Sequence, residues 1–356
     1  MKFSNFLFPA AMDPSQDGQI IRETLREGQL CDELGMDMLW LAEHHFDGIC
    51  AYVDPVTFAA ALAASTKRIN IGFAVAQMSL HHPIRMAEQM SMIDNLSKGR
   101  LVVGLGRGTA FNIYDYQGYG IDPKEAFDRM IEAEKIMIEA WTSEKYEHKG
   151  KFWDIKLPQL RPVPYTKPHP PIVRAASSEE GMVYLAKERR PFLMNIQSNE
   201  VTKQRMDLYR KTLRESGCDE QEVARHVDNS WVWRNIFVGE TDAEAERLAL
   251  PAFETQQAFR AAMRNKVYQE QGLALKKDDA LVAARNQVQH SLLCGSPDTV
   301  AEEIAKVDAI GIGGLILVFR LGPMPYEVAE NSIRLFMKKV APQFKTGKGV
   351  KAVVAA

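Results

Sequence analysis

Along this chain, apolar runs of strand length alternate with segments of helical spacing, with a repeat of about 30 residues. "KFSNFLF" (2–8), "MDMLWLAE" (36–43), "RINIGFAVA" (68–76) and "RLVVGLG" (100–106) predict four strands. A helix is predicted over 17–35, where Ile20, Ile21, Leu25, Leu30 and Leu34 share a face and Gly35 supplies the stop. Another over 54–66 opens with Asp54 as cap and Pro55 at its first position, and a third covers 83–99. After a helix at 124–142 the rhythm breaks at the Pro-rich stretch 147–171, which reads as an inserted hairpin and extended connection. It resumes with strands at 171–177, 191–195, 230–239 and 314–319, separated by helices. Residues 242–290 read as helical but polar, and 257–290 as a lid before the eighth strand. Eight strands, each followed by a helix, predict an α/β fold: a single (β/α)8 TIM-type barrel over 1–345, with a flexible tail at 346–356.

Composition narrows the class without naming a chemistry. The chain has 356 residues, of which 46% are hydrophobic and 25% charged, as in soluble globular enzymes. Its 44 basic and 46 acidic residues leave a formal charge of −2, with no bulk attraction to nucleic acid or an anionic membrane. No apolar run approaches the roughly 18 residues of a membrane span, and the N-terminal run is too short for a signal sequence. Cys31, Cys50, Cys218 and Cys294 are scattered with no CxxC, which predicts reduced thiols and a cytoplasmic protein.

In such a barrel the site gathers at the C-terminal strand ends. There the sequence puts Glu43-His44-His45, Gln77, Gly106-Arg107-Gly108, Ser177-Ser178 and Asn195. His44-His45 and His81-His82 invite a metal reading. Neighbours on a strand point to opposite faces, however, and no spacing completes a ligand set, so no metal is expected. His44 reads either as a catalytic imidazole at the mouth or as a hydrogen-bonded core histidine, and His81-His82 as a loop. "GLGRGT" (104–109) lets backbone pass close to a flat or anionic ligand, with Arg107 as a phosphate donor; the alternative is a surface turn. Ser177 and Ser178 open a helix and suit either phosphate binding or simple capping. Phe6, Phe8, Phe73, Met78 and Trp231 are expected to keep the pocket dry.

"WLAEHHF" (40–46), "IGFAVAQMSLHHPIRMAEQMSMIDNLSKGR" (71–100), "GLGRG" (104–108) and "VRAASS" (173–178) together resemble the bacterial luciferase-like flavin monooxygenases. The resemblance to the luciferase α subunit is dense over about the first 108 residues and returns in "GSPDTVAEEI" (295–304). It implies a barrel that binds reduced FMN from a separate NAD(P)H:flavin reductase and reacts with O2. The resulting flavin C4a-hydroperoxide would oxygenate a small organic substrate. It also implies a homodimer. Carried over, Arg107, Ser177 and Ser178 hold the FMN phosphate, with Gly106 and Gly181 beside them. Ala74-Val75, where the family often has a non-prolyl cis peptide, lies against the flavin, and His44 is catalytic. Two departures stand out: Gly106 replaces a cysteine before the arginine, and Ala176 replaces a glutamate near the serines. They point to Arg107 as the main phosphate ligand and to a substrate other than a long-chain aldehyde. The alternatives are an F420-dependent oxidoreductase on the same barrel, a non-catalytic flavin-binding relative, and a metal-dependent barrel hydrolase.

Overall fold

The computed structural model describes residues 1–8, 10–46, 48, 50–108, 112–272 and 291–344. In chain order its strands are β1 (Lys2–Leu7), β2 (Met38–Leu41), β3 (Asn70–Phe73), β4 (Ala76–Gln77), β5 (Leu101–Gly106), β6 (Lys145–Lys149), β7 (Asp154–Pro158), β8 (Ile172–Ala175), β9 (Phe192–Met194), β10 (Trp231–Val238), β11 (Leu292–Gly295) and β12 (Gly314–Val318). The helices are α1 (Asp17–Glu33), α2 (Pro55–Ser65), α3 (Pro83–Ser97), α4 (Ile113–Gly118), α5 (Ala126–Thr142), α6 (Glu179–Lys187), α7 (Asn199–Glu215), α8 (Glu220–Asp228), α9 (Asp242–Glu270), α10 (Pro297–Asp308) and α11 (Tyr326–Leu335).

The parallel strands run β1-β2-β3-β5-β8-β9-β10-β12, and β12 closes on β1 with Lys2 opposite Gly314. This is the expected closed TIM-type barrel. Its strands are buried on both faces, so they read as continuous apolar runs. Phe6, Met38, Trp40, Val173, Leu193, Trp231 and Ile316 fill the interior, while Phe3, Leu7, Leu39, Leu41, Ile71 and Phe73 pack outward against the helices. Trp40 and Trp231 meet edge to face at 5.5 Å inside the barrel. Two glycines make room for them: a Cβ on Gly72 would lie 2.6 Å from the Trp40 ring, and one on Gly314 2.4 Å from the Trp231 ring.

Local signals act as their chemistry dictates. Asp54 accepts from the Val56 and Thr57 amides with Pro55 behind it, and Gly35 takes φ 75° after α1. The insertion is an antiparallel β6–β7 hairpin. Three differences from the sequence reading stand out. The strand expected over 68–76 is two, β3 and β4, and between them lies a cis peptide joining Ala74 and Val75, at the bond the resemblance singles out. Helix α8 lies outside the expected elements, although its start signal is written as Asp219 and Glu222, which form a capping box. Strand β11 extends the sheet beside β10, just after the polar stretch. Residues 273–290 of the expected lid and the expected tail at 346–356 lie outside the described residues.

Gly104 on β5 shows how tightly β3 and β5 are packed. A Cβ there would stand 1.6 Å from the Phe73 carbonyl oxygen, which is backbone and cannot turn aside. Gly104→Ala should therefore cost about 1–3 kcal/mol or more. Urea unfolding checks this; an unchanged midpoint would show that β3 and β5 can separate without penalty.

Candidate active site

Strand β2 ends by burying a carboxylate. Glu43 is 3% exposed, and its Oε1 takes His45 Nε2 at 2.9 Å and His81 Nε2 at 2.5 Å. Its Oε2 accepts the Gln77 amide at 2.6 Å. Burial pushes this carboxyl up, but the hydrogen bonds from His45 and His81, the His81 charge and the Gln77 N–H outweigh it and hold the pKa at about 2. Burial pulls His45 down, yet the hydrogen bond and charge of Glu43, with Asp115 and Asp54, leave it above the ordinary histidine value. The loop read for His81-His82 thus delivers His81 to the site. No sequence spacing shows that contact, because it joins the ends of two different strands.

His44, beside this cluster, borders a cavity of about 500 Å³ at the C-terminal ends of the strands. Its ring stands edge-on to Phe8 at 5.1 Å. Asn112 Nδ2 lies 3.4 Å from His44 Nδ1 and 2.9 Å from Asp115 Oδ2. An amide nitrogen only donates, so in this contact His44 Nδ1 is the acceptor. Asp115 also accepts from Gln77 Nε2 at 2.6 Å. Burial raises its pKa against the Gln77 and Asn112 hydrogen bonds and the nearby histidines. Neither Asn112 nor Asp115 was a sequence candidate; their only signal is an i, i+3 pair at the start of α4. His45 borders the cavity too, but its ring is held by Glu43 and approached by Tyr119 Oη at 3.3 Å.

The β5–β8 side is hydrophilic. Arg107 is exposed on the cavity rim, and its carbonyl accepts from Tyr116 Oη. Ser177 also borders the cavity, where its hydroxyl accepts the Asn195 amide at 3.1 Å. Arg174 reaches the same wall but is tied to buried Glu134 at 2.5 Å. Ser178 and Gly181 do not border the cavity. The Ser178 hydroxyl caps α6 by accepting the Gly181 amide at 3.1 Å. Ala74, Val75 and Gly106 form the shelf between the two sides.

Gly104, Gly106 and Gly108 also admit protein, since a Cβ would strike the Phe73 carbonyl, the Val75 side chain and Gln77 Oε1 respectively; Gly106 and Gly108 border the cavity as well. One sequence expectation is corrected here. Phe73 and Met78 belong to the outer core: Phe73 lies on the outward face of β3, and Met78 opens the 3-10 turn that follows β4. Trp231 lies within the barrel interior, and Trp233, on the same face two residues on, borders the cavity with Phe6 and Phe8.

A parallel barrel with a half-polar, half-aromatic cavity at its strand ends and an imidazole beside it defines an enzyme of the TIM-barrel type. The sequence model of the luciferase-like monooxygenase family matches residues 1–313, and the chain belongs to that family of oxidoreductases. It is 25% identical over 358 residues to the oxygenase component of a flavin-dependent trigonelline monooxygenase from Acinetobacter baylyi, covering 98% of this chain and 97% of that one. It is 30% identical to the alkanal monooxygenase alpha chain of the Kryptophanaron alfredi symbiont, over 62% of this chain and 61% of that one. Among solved structures, the monooxygenase RslO1 from Streptomyces bottropensis superposes with a TM-score of 0.81 at 27% identity, covering 97% of this chain and all of the other. Among the described residues no helix is long and apolar enough to cross a membrane.

Replacing Glu43 by Gln should leave the histidine donors with a weaker acceptor and cost about 1–3 kcal/mol at neutral pH. Because its folded pKa is depressed, the Glu43 contribution is complete above the ordinary 4.5 and is lost as pH falls towards about 2. Denaturant unfolding across that window should find wild type losing stability more steeply than Glu43→Gln. Parallel curves would show that the carboxylate carries no such linkage.

Proposed function

We propose that this protein is the oxygenase of a two-component FMN-dependent monooxygenase. It takes reduced FMN from a separate NAD(P)H:flavin reductase, takes O2, and oxygenates a small organic molecule. The observation that carries this reading is the division of the cavity: Arg107 and Ser177 on one wall, Phe6, Phe8 and Trp233 on another, and His44 at the edge. The polar wall suits the anionic tail of such a cofactor, the shelf between the walls its flat ring, and the aromatic wall a dry space for an organic molecule beside it, and the volume lies in the usual range for ligand pockets. The names of the relatives, which include a flavin-dependent oxygenase component, support it further.

In this reading Arg107 holds the phosphate with a charged, multidentate donor, and Ser177 adds a hydroxyl. Ser178, with Gly181 tied to its side chain, brings the start of α6 to the same end. Ala74, Val75 and Gly106 form the shelf for the ring. Reduced flavin supplies the electrons that activate O2. The chain contributes position, dryness and a proton. Aromatic side chains exclude water, which would otherwise divert oxygen to H2O2. His44, as the imidazole at the edge, can exchange a proton with an oxygen atom at the mouth. "GLGRGT" lacks the third glycine of a dinucleotide site, so NAD(P)H is oxidised elsewhere and a reductase is required. The same reading carries a homodimer and a cytoplasmic location.

Anaerobic titration with reduced FMN and with reduced F420 tests the cofactor directly. Tight binding of F420 in place of FMN would make the protein a hydride-transfer enzyme. Arg107→Ala should weaken reduced-FMN binding by roughly tenfold to a hundredfold. Equal affinity would remove Arg107 from the site. His44→Ala should bind reduced FMN nearly as wild type does and still consume O2. Its yield of product should fall by about 10²–10⁴-fold, with H2O2 formed instead. If coupling of oxygen to product survived in His44→Ala and was lost in His45→Ala, the neighbouring imidazole would be the catalytic one.

A further inference from the structure

The β5–β8 wall of the cavity holds a second arginine besides Arg107. Arg174 lies on β8, where its partner across the sheet is Leu105 of β5, and Arg107 follows Leu105 by two positions. The two arginines therefore stand on neighbouring strand ends, about 7 Å apart along the strand direction. Both border the cavity. Arg174 is gripped from α5 by Glu134, which is 2% exposed: Nε donates to Oε2 at 2.5 Å, and Nη2 lies 2.5 Å from the same oxygen. A guanidinium held through Nε and Nη2 is held along one edge, so Nη1 leaves from the other. Among the described residues Nη1 has no hydrogen-bond partner, yet it is not a buried atom, and the side chain keeps 11% of its surface open. The Tyr184 ring of α6, 5.8 Å from Cζ, backs the group. Arg190 reaches the other oxygen of Glu134 at 3.6 Å, so one buried carboxylate faces two guanidinium groups, of which only that of Arg174 borders the cavity. Of the acids at the start of α6, Glu179 pairs with Arg205, and neither it nor Glu180 borders the cavity. The acids that do, Glu43 and Asp115, are engaged by His45, His81, Gln77 and Asn112.

A guanidinium fixed along one edge by a buried acid presents its other edge with little further loss of side-chain freedom. That edge adds a second charge-assisted donor to those Arg107 offers. Two such cations on one wall discriminate by charge. A phosphate esterified once carries roughly −1.5 to −2 at neutral pH, on three acceptor oxygens. A phosphate esterified twice, as in a cofactor that continues beyond it, carries a single charge. We propose that Arg174, held in place by Glu134, is a specificity-determining contact of the phosphate, and that with Arg107 it selects a cofactor ending in a phosphomonoester over one that continues as a phosphodiester. This rests on the reading of the wall as the phosphate site of FMN, and it specifies which form of flavin that wall admits.

Reduced FMN and the monomethyl ester of its phosphate serve as probes, with phenyl phosphate and its monomethyl ester as flavin-free counterparts. Binding is read by anaerobic calorimetry, so no turnover is needed. Wild type should bind FMN roughly tenfold or more tighter than the methyl ester. Arg174→Gln should abolish most of that preference. Arg190→Gln removes the other partner of Glu134 from a position off the cavity and should keep it. Arg174→Gln leaves Glu134 buried with Arg190 as its only ion pair, so the double variant Arg174→Gln/Glu134→Gln is measured beside it. The double variant removes both charges of the pair together, leaves the net charge unchanged, and should lose the preference equally. Equal binding of the two esters to wild type, or a preference that survives in the double variant, would overturn the proposal. A loss in Arg190→Gln as large as in Arg174→Gln would overturn it too, since ion pairing at Glu134 and not a phosphate contact would then set the affinity. Should FMN and its ester bind tightly but alike, the flavin site stands and the charge selection falls. Should neither bind, phenyl phosphate decides: an Arg174-dependent preference over its methyl ester sustains the pair of cations while the flavin reading falls, and equal binding ends both.

Discussion

The mouth of this barrel depends on one buried charge. Placing Glu43 at the end of β2, almost out of contact with solvent, is costly unless its oxygens are fully engaged. They are engaged by three donors from three chain segments: His45 just beyond β2, Gln77 on β4 and His81 just after it. Gln77 then reaches Asp115, and Asp115 shares Asn112 with His44. One carboxylate thereby fixes the ends of β2 and β4 and the start of α4 relative to one another. It also engages two of the neighbouring imidazoles, His45 and His81, and leaves His44 outside its reach at the edge of the cavity.

A second constraint, purely steric, completes the shelf. The glycines at the end of β5 let the Phe73 carbonyl, Val75 and Gln77 approach where any side chain would collide. The backbone between β3 and β4 can then lie flat along the cavity between its polar and aromatic walls. The walls differ because they come from different sectors of the closed sheet: β5 and β8 carry Arg107 and Ser177, and β1 and β10 carry aromatic residues under α9.

What the sequence by itself determined follows from short-range physics. Strand and helix periods, the Asp54 cap and the stop at Gly35 depend on neighbours a few residues apart, so the eight-stranded barrel and the location of its mouth were legible. So was the set of residues at the strand ends, including His44, Arg107 and Ser177. Alternation along a strand says that two residues face the same way, but not at which depth they sit. Trp231 could therefore stand in for Trp233. Alternation does not say which face turns inward either, so Phe73 could be mistaken for a pocket residue, as could Met78 in the turn after β4. What only the tertiary structure decided was every contact made across strands: Glu43 with His81, Asn112 with His44, Arg260 over Phe8. Those pairs are 38, 68 and 252 positions apart in the chain. They exist because barrel closure brings the strand ends together, and no local pattern records which side chains then meet.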